Sequence, residues 1–206
     1  MKFVLAGQPN SGKSTIFNSI AGYKSATANF PGSSVSFTVS KSLILGREVE
    51  VVDLPGLYSL TSSKAEAGKA EAYLLEEDYD LIINVIDASR LGRSLELTLQ
   101  LLELERPMII ALNMMDEATR HGVEVDHGAL TQGLGLPVVP TVGQRGLGLK
   151  ELFRVALQHA HAGEASLGVT LDREVEEAAA QVVDLLQERG IETGVPRRLT
   201  AEKLLE

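Results

Sequence analysis

The chain has 206 residues, a formal net charge of −9 at pH 7 and no cysteine. That length suits one well-packed domain with a smaller appendage, and the missing cysteine excludes disulfides, thiolate metal sites and iron–sulfur ligation. The acidic balance argues against a general nucleic-acid surface, which Lys and Arg would have to supply, and no stretch reaches the ~18 consecutive apolar residues of a membrane span.

The elements read in chain order as an α/β pattern. Phe3-Val4-Leu5-Ala6 is a buried strand (2–6), and residues 13–21 wind into a helix. Between them Gly7-Gln8-Pro9-Asn10-Ser11-Gly12-Lys13-Ser14 fits GxxxxGK[ST], a loop whose amide hydrogens and following helix N-terminus face one anion. Phosphate suits that anion site: Gly7 and Gly12 allow close approach, Lys13 reaches the β- and γ-phosphates, and the Ser14 hydroxyl can ligate Mg²⁺. Tyr23 to Val35 is polar, contains Pro31 and Gly32, and reads as a loop with the character of a switch. Strands 36–45 and 48–53 flank Gly46-Arg47 and form a hairpin, which places one antiparallel edge strand on a mostly parallel sheet. Asp53-Leu54-Pro55-Gly56 is a DxxG signature, with a carboxylate at a strand's C-terminal end, where it can hold Mg²⁺ through water.

A helix at 66–77 carries Glu66 and Glu71 on what reads as a solvated face. A strand at 81–87 and a helix at 93–105 follow, with Leu91, Leu95, Leu99 and Leu102 spaced as a core stripe. Strand 108–113 then ends in Asn113-Met114-Met115-Asp116, an NKxD-type box in which Asp116 can accept two hydrogen bonds from the N1 and N2 hydrogens of guanine. Adenine offers no such pair of donors. A helix at 123–134, a strand at 137–141 and a helix at 148–161 complete the sheet pattern, and His159 and His161 on the last helix read as surface residues without a metal. Ligands of such open sheets bind beyond the carboxyl ends of the strands, where the three boxes fall.

After Gly163 the character changes. Residues 164–206 hold ten acids and five bases, and Asp172 to Leu186 form an amphipathic helix with Val175, Ala179, Val182 and Leu186 on one face and Gly190 placed to end it. The division expected is a GTP-binding domain over 1–163 and a small acidic helical domain over 164–206.

With the loop at 23–35, the three boxes and Leu81-Ile82-Ile83-Asn84-Val85-Ile86-Asp87, the first ~160 residues resemble, in motif order, the cytosolic G-domain of the ferrous iron transport protein B family. The acidic tail resembles that family's small helical domain. The resemblance implies a P-loop GTPase fold and GTP or GDP as ligand, with Gly7, Asn10, Ser11, Gly12, Lys13, Ser14 and Thr15 along the phosphates. It places Gly32 and Ser33 beside the nucleotide. Ser34 stands where the family's switch threonine ligates Mg²⁺, with Ser33 the neighbouring registration, and Ser14 and Asp53 complete the Mg²⁺ set, with Gly56 closing the DxxG box. Asn113, Met114 and Asp116 hold guanine, backed by Thr141-Val142-Gly143 where a Ser-Ala pair is usual.

Leu57 occupies the position at which Ras-like enzymes carry a water-orienting Gln, so hydrolysis is expected to be slow. The resemblance assigns Asn10, Lys13 and Ser34 to the reacting phosphate, with Asn10 also a K⁺ ligand, the cation standing in for an arginine finger. It further implies a cytoplasmic domain of an inner-membrane protein, whose permease lies in the same polypeptide beyond this sequence. A small cytosolic iron-transport protein is the other implied partner, and no nucleic acid. The alternative, a soluble GTPase of ribosomes or tRNA, calls for a basic appendix, which the acidic tail is not.

Overall fold

The structure is a computed structural model that describes residues 1–21, 25–29, 36–60, 65–162, 173–191 and 200–201. Its strands are β1 (Lys2–Gly7), β2 (Ser25–Asn29), β3 (Ser36–Ile44), β4 (Arg47–Asp53), β5 (Leu81–Asp87), β6 (Met108–Asn113) and β7 (Val138–Pro140). The helices are α1 (Lys13–Ile20), α2 (Ala65–Glu76), α3 (Leu91–Leu102), α4 (Met115–Arg120), α5 (His127–Leu134), α6 (Leu149–Ala162) and α7 (Arg173–Glu188).

The strands form one sheet in the order β2-β3-β4-β1-β5-β6-β7. From β1 the chain goes to the sheet edge at β2, returns inward through β3 and β4 to lie beside β1, and then crosses to β5 on the other side, so the strand order reverses at β1. A crevice outside the carboxyl end of β1 is the consequence, and it is where such sheets take ligands. β5, interrupted by Asn84, and β6 read as apolar runs because both of their faces are covered. Val4, Val52, Ile82 and Ile110 pack beneath α2 and α3 on one face, and Phe3, Leu5, Val51 and Ile83 pack beneath α1 and α6 on the other.

The mixed sheet with its single reversed strand, β3, matches the expectation, and so does the hairpin turn. Leu45 (φ 48°) and Gly46 (φ 81°) both take left-handed conformations, the geometry of a two-residue type I′ turn whose twist suits the flanking strands. Four details differ. Residues 25–29, read as loop, form β2 and pair with β3 from Ser25↔Ser40 to Asn29↔Ser36; Ser-Ala-Thr-Ala-Asn has little intrinsic strand preference, and pairing along the open edge of β3 supplies what propensity does not. The helix expected over 123–134 is shorter, α5 (His127–Leu134), and an unforeseen short helix, α4, begins within the Asn113–Asp116 box at Met115. Asp126 caps α5 by accepting from the Ala129 amide at 3.0 Å, and Gly122 (φ 70°) turns the chain between them.

The buried stripe of α3 is Ser94, Leu97, Thr98, Leu101 and Leu102, while Leu99 is 40% exposed. The leucine spacing misplaced that face because two polar residues lie within it. Thr98 Oγ1 accepts from Asn84 Nδ2 at 2.7 Å and donates to Ser94 O, so both can be buried. Last, His159 is half-buried, and His161 is exposed with Nε2 2.9 Å from an Arg47 guanidinium nitrogen. In α7, Ala179 and Leu186 are buried, Val182 is half-buried, and Gly190 (φ 62°) follows the helix end. No helix among the described residues is long and apolar enough to cross a membrane.

Candidate functional site

The loop between β1 and α1 is held in shape by contacts that leave no room for side chains at its glycines. A Cβ on Gly7 would lie 2.3 Å from Val85 O, and one on Gly12, whose φ is 85°, would lie 2.2 Å from Asn113 Nδ2. A side chain at Gly7 would press on backbone, and one at Gly12 on the Asn113 amide. Asn10 also takes a left-handed conformation (φ 65°) and is exposed, and its side chain makes no hydrogen bond among the described residues. Ser11 is buried, with its Oγ unpartnered among those residues.

Lys13 and Asp53 meet across the mouth of this loop. Lys13 Nζ lies 2.5 Å from Asp53 Oδ1, Ser14 Oγ donates to Asp53 Oδ2 at 2.8 Å, and the Lys13 and Asp53 side chains are 8% and 10% exposed. A cleft beside them is bordered by Asn10, Gly12, Lys13, Ser14, Thr15 and Gly56. Ser14 Oγ and the Asp53 carboxylate form a hard-oxygen set on one wall of the cleft, which fits Mg²⁺ held by one or two protein groups with water and phosphate. The exposed Asn10 side chain borders the same cleft.

Asn113, expected to touch guanine, borders the pocket at Asp116 and also binds protein on both sides. Its Nδ2 donates to Ser11 O at 2.9 Å, while Oδ1 accepts from Gly143 N at 2.9 Å and from Thr141 Oγ1 at 3.2 Å. At 2% exposure it ties the phosphate loop to the Thr141-Val142-Gly143 loop. Asp116, in the first turn of α4, is the group left to face a ligand. It borders a pocket with Gly12, Thr15, Met114, Val142 and Gly143, its Oδ1 accepts from the Glu117 amide at 3.1 Å, and its Oδ2 lies 3.9 Å from Arg145 Nε. Gly12, Thr15 and Met114 border both this pocket and the cleft at Lys13, so the two adjoin.

Leu57 is fully buried, and its amide donates to Gly7 O at 3.0 Å. It packs with Val4 and Leu60 and presents nothing to a reacting water. Gly32, Ser33 and Ser34 lie outside the described residues. Three neighbours of the pocket were not foreseen: Glu117 and Gln144 on its wall and Arg145 beside Asp116. Adjacency to the two boxes was the only available signal for them.

The family model for ferrous iron transport protein B matches residues 1–156. The Fe(2+) transporter FeoB of Salmonella typhimurium is 44% identical over 164 residues, covering 78% of this chain and 21% of the transporter, and that of Escherichia coli K12 is 43% identical over the same extents. The chain thus spans about a fifth of the length of the curated relatives it matches. Among solved structures, a GDP-bound mutant of S. thermophilus NFeoB superposes with a TM-score of 0.90 at 34% identity, covering 99% of this chain and 78% of that one. The GMPPNP form of the T. maritima FeoB cytosolic domain gives 0.87 at 34% identity, covering 98% and 79%.

Proposed function

The chain belongs to the ferrous iron transport protein B family, and on that premise we propose that it is a guanine-nucleotide-binding domain that hydrolyses GTP slowly and reports its nucleotide state to a membrane permease in the same polypeptide. One observation carries this reading: the pocket at the Asp116 carboxylate and the cleft at Lys13 and Ser14 adjoin across Gly12, Thr15 and Met114. A base reader at one end and a phosphate cradle at the other match a nucleoside di- or triphosphate. Ferrous iron is, on this reading, the cargo of the membrane permease. A small cytosolic partner protein is part of the same reading. Titration with fluorescent GDP and ADP analogues in Mg²⁺ tests it. Guanine preference of about 100-fold is expected from two hydrogen bonds to a charged acceptor, and equal affinities would remove the guanine assignment.

For hydrolysis, Lys13 would bind the phosphates and Ser14 and Asp53 would hold Mg²⁺, which would supply positive charge at the transferring phosphoryl group. Leu57 leaves no side chain to orient water, so positioning carries the rate. K⁺ bound at Asn10 would supply further positive charge at the phosphates. Single-turnover hydrolysis should therefore be faster in KCl than in matched NaCl by on the order of tenfold to a hundredfold, with the difference lost in Asn10→Ala. Equal rates in the two salts would discard the potassium role.

The chain divides functionally into the nucleotide-binding residues 1–163 and the acidic helical residues 164–206, which tune nucleotide exchange from their place directly after α6. Removing 164–206 should change the GDP release rate by about fivefold or more, the lower end of ordinary coupling between sites. The same stopped-flow trace for both proteins would make the tail a spacer.

A further inference from the structure

We propose that Gln100, on α3 and outside both the pocket and the cleft, is the positioning residue that holds the segment after Asp53 ready to read a third phosphate. This role rests on the nucleotide-binding reading above. Gly56 borders the cleft at Lys13 but not the pocket at Asp116, so it lies toward the end of the site where a third phosphate extends beyond the second. The backbone around it is fixed from both directions. On the inner side Gly56 presses on Pro9, where a Cβ would come within 2.8 Å, and the Leu57 amide donates to Gly7 O.

On the outer side the anchor is one atom. Gln100 Oε1 accepts from the Leu60 amide at 2.8 Å and from Ser59 Oγ at 3.0 Å. Tyr58, between these anchors and Gly56, lies under the Arg93 guanidinium at 4.8 Å, and Arg93 O accepts from Gln8 Nε2 in the phosphate loop at 2.6 Å. α3 therefore grips both the phosphate loop and the DxxG tail, and it is itself pinned to β5 through Thr98 and Asn84. The two hydrogen bonds at Gln100 restrict residues 58–60 before any ligand arrives, which lowers the ordering cost of meeting a third phosphate. A diphosphate does not extend to Gly56 and gains nothing from the restraint.

The measurement is the ratio of GMPPNP to GDP affinity, by displacement of a fluorescent nucleotide, in the parent, Gln100→Leu, Gln100→Glu and Ser59→Ala. Gln100→Leu should weaken GMPPNP binding about tenfold relative to GDP, as expected for two lost hydrogen bonds. Gln100→Glu keeps the accepting oxygen and should keep the parent ratio, while Ser59→Ala removes one donor and should shift the ratio part of the way. General damage to the fold would weaken both nucleotides together and leave the ratio where it was. An unchanged ratio in Gln100→Leu and Ser59→Ala, or a Gln100→Glu protein behaving like Gln100→Leu, overturns the role. A parent that binds neither nucleotide overturns the nucleotide-binding reading itself.

Discussion

Asp116→Asn should weaken GDP binding by about 100-fold and shift preference to xanthosine diphosphate. The carboxylate is aimed by its surroundings: α4 begins at Met115 after Met114 turns through a left-handed conformation (φ 61°), the Glu117 amide holds Oδ1, and Arg145 stands off Oδ2. Guanine presents two N–H donors to that edge, each worth about 1.5–3 kcal/mol against a charged acceptor. An asparagine keeps one acceptor and turns the other position into a donor, which meets the N2 hydrogens of guanine head on. Xanthine carries an oxygen there and accepts from the new amide. Side-by-side titration of the two diphosphates reads both halves of the effect. An unchanged GDP affinity would place the base elsewhere in the site.

Much of this site is legible in the sequence because its chemistry is local. A phosphate loop needs its glycines, its lysine and its hydroxyl at fixed spacing between a strand and a helix, and all of them lie within Gly7–Ser14. The fold class is legible for a similar reason, since β5 and β6 are apolar runs too short for helices and too uniform for an exposed sheet. Pairing over distance is harder to read. β2 is a strand because the edge of β3 is open to it, which nothing within residues 25–29 announces. The buried face of α3 is hard to read because Ser94 and Thr98 look polar in isolation; Asn84 satisfies Thr98, and Arg90 O with the Asp87 amide satisfies Ser94. Asn113 is the same lesson at the site: the motif marks it correctly, but its partners, Ser11 O and Gly143 N, come from two other loops and decide that it braces the pocket.

Lys13→Ala should remove nucleotide binding by at least about 100-fold and also destabilise the fold, whereas Asp53→Ala should change sign with the metal. In the first variant Asp53 keeps only the Ser14 hydroxyl, at 10% side-chain exposure; removing one partner of a buried ion pair costs about 3 kcal/mol or more, which thermal unfolding will read directly. The second follows from competition. A phosphate must take Lys13 Nζ from Asp53 Oδ1, 2.5 Å away, and Asp53 also places its own negative charge beside the incoming phosphates. A Mg²⁺ held at Asp53 and Ser14 would offset that penalty by neutralising the carboxylate's charge. With the metal chelated by EDTA, Asp53→Ala should therefore bind GDP about tenfold more tightly than the parent, from relief of like-charge repulsion in a partly screened site. In millimolar Mg²⁺ the same variant should bind more weakly, because a metal-holding carboxylate is gone. A variant merely damaged by the substitution would be weaker in both buffers, so the crossing of the two affinities is the diagnostic result. If Asp53→Ala bound GDP no more tightly than the parent in EDTA, the carboxylate would not be competing for Lys13.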